Sequence, residues 1–410
     1  MNFFKINLWS TSFIFCSLLS FSQIDNKALY NEIKMNEKDT SKILFSFRNN
    51  NILIDNEYFG KILTGYTLFC SEFNPELAYM PNKYVKIEGG IFLRKDYGNP
   101  NFSIVAPTLA LKLEKNGYSL IFGNLEGCLT HQLIQPIFNY ERIVTNPLEN
   151  GLQVKIDKKN FWLDLWIDWE QQEYQNVNFK EHIGSGLSSK TTLYNHNDVF
   201  KIILPVQAYV FHHGGQLDVD TSSVISLFNV AAGLTFDWDL SSKGGFISDV
   251  RSDNYFIGFE NGSTQKNVFP FYTTFKNNDF NNLTVFPNPI QSGYGSYFNL
   301  TVTSKYHISL MASYWDGHNF VAGHGGPLYQ SVSSIYNNNF METNRQIIIV
   351  RGLYQREILP DLYVDIRIEP CYDLHFPSVS NTFTPRLEFC YSAFFTYRKT
   401  FSLGKVKSNP

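Results

Sequence analysis

The chain has 410 residues, of which 17% are charged and 16% aromatic, with a formal net charge of -3 and a mean hydropathy of -0.20. No basic excess marks a nucleic-acid partner, and beyond the first twenty or so residues no apolar run is long enough for a membrane helix. With 37 Phe and 24 Tyr the chain is aromatic-rich without being uniformly apolar, and its length suits two or three soluble domains or one large barrel.

The N-terminus reads "MNFFKINLWSTSFIFCSLLSFSQ": Lys5, an apolar run from Leu8 to Leu19, then small residues at Ser20 and Ser22. This is the pattern of a secretory signal peptide over 1–22, so the mature chain is expected to be exported. Residues 23–60 read as a polar periplasmic leader. Four cysteines follow, Cys70, Cys128, Cys371 and Cys390, whose wide spacing matches no metal pattern and favours thiols over disulfides.

From residue 61 to 401 short alternating segments recur. In "FWLDLWIDWE" Phe161, Leu163, Leu165, Ile167 and Trp169 share one face, with Trp162, Asp164, Trp166, Asp168 and Glu170 on the other. "LYVDIRIEP" sets Leu362, Val364, Ile366 and Ile368 against Tyr363, Asp365, Arg367 and Glu369, and "YVKIEGGIFLR" and "RLEFCYSAFFTYRK" behave alike. Tight connections at 81–84, 114–117, 157–160, 195–198, 241–245, 303–305 and 359–361 alternate with mostly longer ones at 70–74, 95–101, 128–148, 172–178, 214–222, 262–292, 318–344 and 375–383. That alternation predicts about sixteen strands with both termini on the tight-turn side.

An even strand number, short turns on one side, long loops on the other and an oily outer face are the marks of an antiparallel up-and-down transmembrane β-barrel. The chain resembles the outer-membrane barrels of Gram-negative bacteria, in particular the porin-like barrels of the Bacteroidota, whose signal peptides often end "FSQ" as here. The resemblance covers roughly 61–401 and is one of architecture; residues 402–410 continue past Phe401 as a periplasmic tail. It implies residence in the cell outer membrane, with outer-membrane lipid as surroundings, and is compatible with a homo-oligomer.

Sixteen strands enclose room for an aqueous channel. The expected function is passive diffusion of small hydrophilic solutes, and the alternative is a surface interaction or assembly protein anchored by a barrel with a closed lumen. Candidate pore-lining charges are Lys86, Glu88, Arg94, Lys112, Glu114, Lys155, Asp164, Asp168, Glu170, Asp365, Arg367, Glu369, Glu388 and Arg398. The apolar connection 128–148 is a candidate constriction loop carrying Glu141 and Arg142. Bulky Trp162, Trp166 and Phe92 blocking the lumen would favour the alternative.

No cofactor, metal or catalytic residue is expected, and the protein is read as not an enzyme. His212, His213, His318 and His324 are placed on the outer rim. A rim hydrolase would require His212 or His213 within hydrogen-bond reach of a serine and a carboxylate, for which Ser222 and Asp218 are the nearest in sequence. There is no G-x-S-x-G elbow.

Overall fold

Turn chemistry sets the alternation of strands. In "EKNG" both Asn116 and Gly117 take positive φ, 52° and 72°, the pairing a two-residue type I′ hairpin needs. The computed structural model describes residues 27–177, 179–215, 223–270, 283–334, 339–374 and 387–406; the expected signal peptide lies outside them. Its strands are β1 (Lys42–Glu57), β2 (Tyr66–Asn82), β3 (Val85–Asp96), β4 (Ile104–Lys115), β5 (Tyr118–Asn124), β6 (Asn150–Lys158), β7 (Phe161–Gln171), β8 (Glu181–His196) and β9 (Phe200–Gly214). There follow β10 (Ile225–Asp239), β11 (Ile247–Asn261), β12 (Val268–Pro270), β13 (Leu283–Val285), β14 (Ser292–Ser304), β15 (Ile308–His318), β16 (Asn344–Leu359), β17 (Leu362–Asp373) and β18 (Leu387–Lys405).

Sixteen of these form one closed antiparallel barrel, sealed where β1 pairs with β18 from Lys42↔Lys405 to Glu57↔Phe389; β12 and β13 make a small separate hairpin. Closure matters because an open sheet edge in hydrocarbon would leave N–H and C=O groups without partners. The fold is thus the all-β transmembrane barrel expected, with seven short turns on one side and the longer connections on the other.

Two boundaries differ from expectation. The barrel begins at Lys42 inside the expected 23–60 leader, and β18 runs past 401 to Lys405. β1 escapes a pattern search because Asn49 and Asn51 occupy outward positions. They are satisfied locally: Asn49 Nδ2 donates to the Glu72 carbonyl at 2.9 Å, Asn51 Nδ2 to Asn49 Oδ1 at 2.8 Å, and Ser71 Oγ to Asn51 Oδ1 at 2.6 Å. The expected connection 70–74 lies within β2. Pro75, without an N–H, interrupts the β2–β3 pairing between Phe73↔Leu93 and Glu76↔Gly90, and Asn74 Nδ2 donates to the Ile91 carbonyl there at 3.3 Å.

Outward residues such as Leu109, Leu165, Leu300 and Phe395 are exposed, as a lipid-facing wall requires. Inward residues are buried because three segments of the chain fill the lumen. Residues 27–34 pack in the tight-turn end, where Lys112 Nζ donates to the Ile33 carbonyl at 2.9 Å and Arg398 to that of Ala28 at 3.3 Å. The β5–β6 connection, 125–149, folds inward with Leu133, Ile134, Ile137 and Val144 buried. The β15–β16 connection enters beside it through "GHGG": a Cβ at Gly325 would sit 2.1 Å from the Pro136 carbonyl oxygen and one at Gly323 2.3 Å from Phe211 Cβ. Only glycine lets the two segments approach so closely.

Candidate functional site

All fourteen candidate pore-lining charges point into the barrel, and most are matched there. Lys86 meets Glu88 at 2.5 Å, Arg94 meets Asp96 at 2.7 Å, and Lys112 meets Glu114 at 3.0 Å and Glu126 at 2.9 Å. Lys155 also meets Glu126, at 2.5 Å. Glu369 lies between Arg351 and Arg367, each at 2.7 Å. Glu388 accepts from the backbone N–H groups of Phe59 and Gly60 at 3.1 and 2.9 Å, and Asp365 is buried. Buried charges are tolerable because they are paired and hydrogen-bonded.

The inward 125–149 segment is anchored in this network. His131 bridges Asp164 at 2.9 Å and Glu149 at 2.7 Å and stacks on Trp166 with ring centroids 3.5 Å apart. Burial works against a charge on His131, but the two carboxylates outweigh it and raise its pKa to about 9, so the ring is held as a cation. Arg142 donates to Glu170 at 2.7 Å and lies 3.8 Å from Asp168, while Glu141 accepts from Tyr66 and from Asn56. His324, expected on the rim, is buried in the lumen between Tyr209 and Glu170; burial and the neighbouring Arg142 lower its pKa.

Among the described residues this interior is full. Asp164, Gln207, Arg351, Arg367 and Thr396 are wholly inaccessible, and Phe92, Trp162 and Trp166 are buried. A cavity of about 30 Å³ beside Tyr66, Tyr140, Glu141 and Glu369 holds one or two waters at most. Cys70, Cys128, Cys371 and Cys390 are buried thiols outside any disulfide. The lumen thus holds histidines and carboxylates packed among buried side chains.

The outer face of the wall is different. In β9 the odd positions Phe211 and His213 are inward and buried, and His213 Nδ1 lies 2.6 Å from His182 Nε2. His212 therefore faces the membrane, directly across from Ser226 of β10 in the register, with its Nδ1 2.9 Å from Ser226 Oγ. Both sit at the long-connection end of the barrel, which is the outer end. The Ser226 N–H donates to Ser263 Oγ at 3.0 Å and its carbonyl accepts from the Gly262 N–H at 2.8 Å, fixing the serine backbone. A Cβ at Gly214 would lie 2.3 Å from His212 Nε2, so Gly214 makes the space the ring occupies.

Half-buried His212 and Ser226 adjoin exposed Phe228 and half-buried Val210 on the same outer face, a polar pair at the margin of an apolar band. A histidine nitrogen within hydrogen-bond reach of a serine hydroxyl is the minimum for an activated nucleophile. Sequence reading picked His212 but paired it with Ser222 and Asp218, which lie outside the described residues. Ser226 was missed because adjacency on a sheet follows cross-strand register, whereas the search followed distance along the chain. His318 also faces outward, stacked on Tyr294 with centroids 5.2 Å apart.

A family model described as Lipid A 3′-O-deacylase-type matches residues 35–275 and 273–406. No curated protein matches the chain. Among solved structures, OprD from Pseudomonas aeruginosa is 12% identical, with a TM-score of 0.46 over 92% of this chain and 97% of that one. OccAB2 of Acinetobacter baumannii is 13% identical, with a TM-score of 0.45 over 88% and 99%. The trimer form of OmpT from Vibrio cholerae is 10% identical, with a TM-score of 0.47 over 88% and 100%. The family match corrects the expectation that the protein is not an enzyme: the model that covers the barrel is that of a deacylase type.

Proposed function

Because the chain belongs to the Lipid A 3′-O-deacylase-type family, we propose that it is an outer-membrane hydrolase that removes an ester-linked acyl chain from a lipid A-type glycolipid of the outer leaflet. The observation that carries this reading is the His212–Ser226 pair, 2.9 Å apart on the outer face of the wall. An acyl ester lies where sugar meets hydrocarbon, and the pair lies where the polar rim meets the apolar band.

In the tautomer with its proton on Nε2, His212 accepts a hydrogen bond from the Ser226 hydroxyl at Nδ1. Ser226 Oγ attacks the ester carbonyl carbon as its proton passes to His212. The tetrahedral intermediate collapses with cleavage of the bond to the sugar oxygen, which takes the proton back from His212. Water, deprotonated by His212, then splits the acyl-serine into free fatty acid and serine. The test is mass spectrometry of lipid A incubated with the purified protein in mixed micelles: wild type releases one fatty acid per lipid, and Ser226→Ala releases none.

Diffusion of small hydrophilic solutes is a second reading, favoured by the sixteen-strand circumference. It requires the inward connections to leave the lumen, and conductance in a planar bilayer tests it.

A further inference from the structure

Two strands are too short for the wall they belong to. β5 has seven residues and β6 nine, and β4 on one side and β7 on the other extend beyond them. Pairing of β4 with β5 stops at Ala110↔Gly123, while pairing with β3 continues to Arg94↔Ile104. Pairing of β7 with β6 stops at Gly151↔Asp168, while pairing with β8 continues to Gln171↔His182. The outer half of the wall therefore has a notch two strands wide. Pro107, which has no N–H, lies on the part of β4 without a β5 partner, where proline is tolerated. Val105, Leu109 and Phe122 are 61%, 66% and 64% exposed, more than most outward residues of the intact wall.

The floor of the notch is polar, although it opens on the membrane. Asn124 Nδ2 donates to Asn150 Oδ1 at 2.7 Å, Asn124 Oδ1 accepts from the Leu109 N–H at 2.5 Å, and the Asn150 N–H donates to Asp168 at 2.7 Å. Asn150 itself is exposed. Behind it the 145–148 stretch of the inward connection is only half-buried. The hydrogen bonds at Asn124 and Asn150 meet both side-chain oxygens from within the wall; among the described residues none involves Asn150 Nδ2, and an amide N–H facing lipid is costly unless a polar group outside the wall meets it. A simple hydrocarbon tail offers none at this depth.

We propose that this notch docks the sugar and linkage region of an acylated glycolipid from the outer leaflet: its acyl chains lie along Val105, Leu109 and Phe122, and its amide or ester groups hydrogen-bond Asn124 and Asn150. The inference rests on the hydrolase reading and adds to it a substrate-holding subsite. From Asn150 on β6, at the floor of the notch, to His212 on β9 is three strands, on the order of 15 Å along the wall at the usual spacing. A glycolipid carrying several acyl chains spans that width, so one molecule can rest in the notch and present an ester to Ser226.

The test is native mass spectrometry of the full-length protein in the Ser226→Ala background, with lipid A and phosphatidylethanolamine as probes. Asn124→Ala/Asn150→Ala removes the floor, and Val105→Trp fills the notch with an outward aromatic of the kind a barrel wall accepts. The expected result is at least a fivefold loss of retained lipid A in both variants with phosphatidylethanolamine unchanged. Undiminished lipid A retention in the folded Val105→Trp protein overturns the docking site, as does equal loss of both lipids. The same spectra show whether Ser226→Ala still strips an acyl chain, so failure of the hydrolase reading is scored separately from failure of the notch.

Discussion

Replacing His212 by Ala deletes the only described base in contact with Ser226 Oγ. General-base assistance contributes about 10²- to 10⁴-fold to such a step, or roughly 3 to 5 kcal/mol of barrier at 1.36 kcal/mol per decade. The fold should hardly register the change. His212 is half-buried on the outer wall, and its one hydrogen bond to Ser226 is worth about 0.5–1.5 kcal/mol net. Fatty-acid release from lipid A should therefore fall at least about 100-fold, while the heat-modifiable electrophoretic mobility that reports a folded barrel stays as in wild type. Both lipid and enzyme are present in mixed micelles, so the rate is read directly by mass spectrometry. Release at the wild-type rate by a folded His212→Ala protein would refute the assignment, because no other described side chain stands ready to take the Ser226 proton.

Gly214→Ala places a methyl 2.3 Å from the present position of His212 Nε2, so the ring must turn away; activity should fall by about tenfold or more with little loss of folded protein on the same gels. His131→Ala leaves Asp164 and Glu149 buried without their shared cation, at a cost of about 3–5 kcal/mol; the 125–149 segment should loosen, read as faster proteolysis within it and higher bilayer conductance, and unchanged values of both would count against the anchoring role. Because His131 is raised to about 9 in the folded protein, its contribution is fully present below the ordinary imidazole pKa of about 6.5 and is lost as pH rises through 9. Wild-type conductance should accordingly increase between those pH values, and the increase should vanish in His131→Ala. Gly325→Ala, whose Cβ would lie 2.1 Å from the Pro136 carbonyl, should separate the two inward segments and raise protease sensitivity in 125–149.

The strand alternation of "FWLDLWIDWE" and "LYVDIRIEP" and the Asn-Gly turn at 116–117 are local properties, so the barrel class, its sixteen strands and its outer face were legible from the chain alone. What failed locally was β1 and the facing part of β2, where Asn49, Asn51 and Ser71 face outward and are satisfied by one another and by the Glu72 carbonyl. The filled lumen was a tertiary decision: the inward course of 125–149 depends on Asp164, Gln207 and Arg351 coming from strands distant in sequence to meet His131, Ile134 and Gln135. Period-two patterning fixes which side of a strand a residue faces, hence that His212 looks outward. Which serine stands opposite it, and where two short strands leave the wall notched, depends on strand register and on where pairing stops, and those exist only once the sheet has closed.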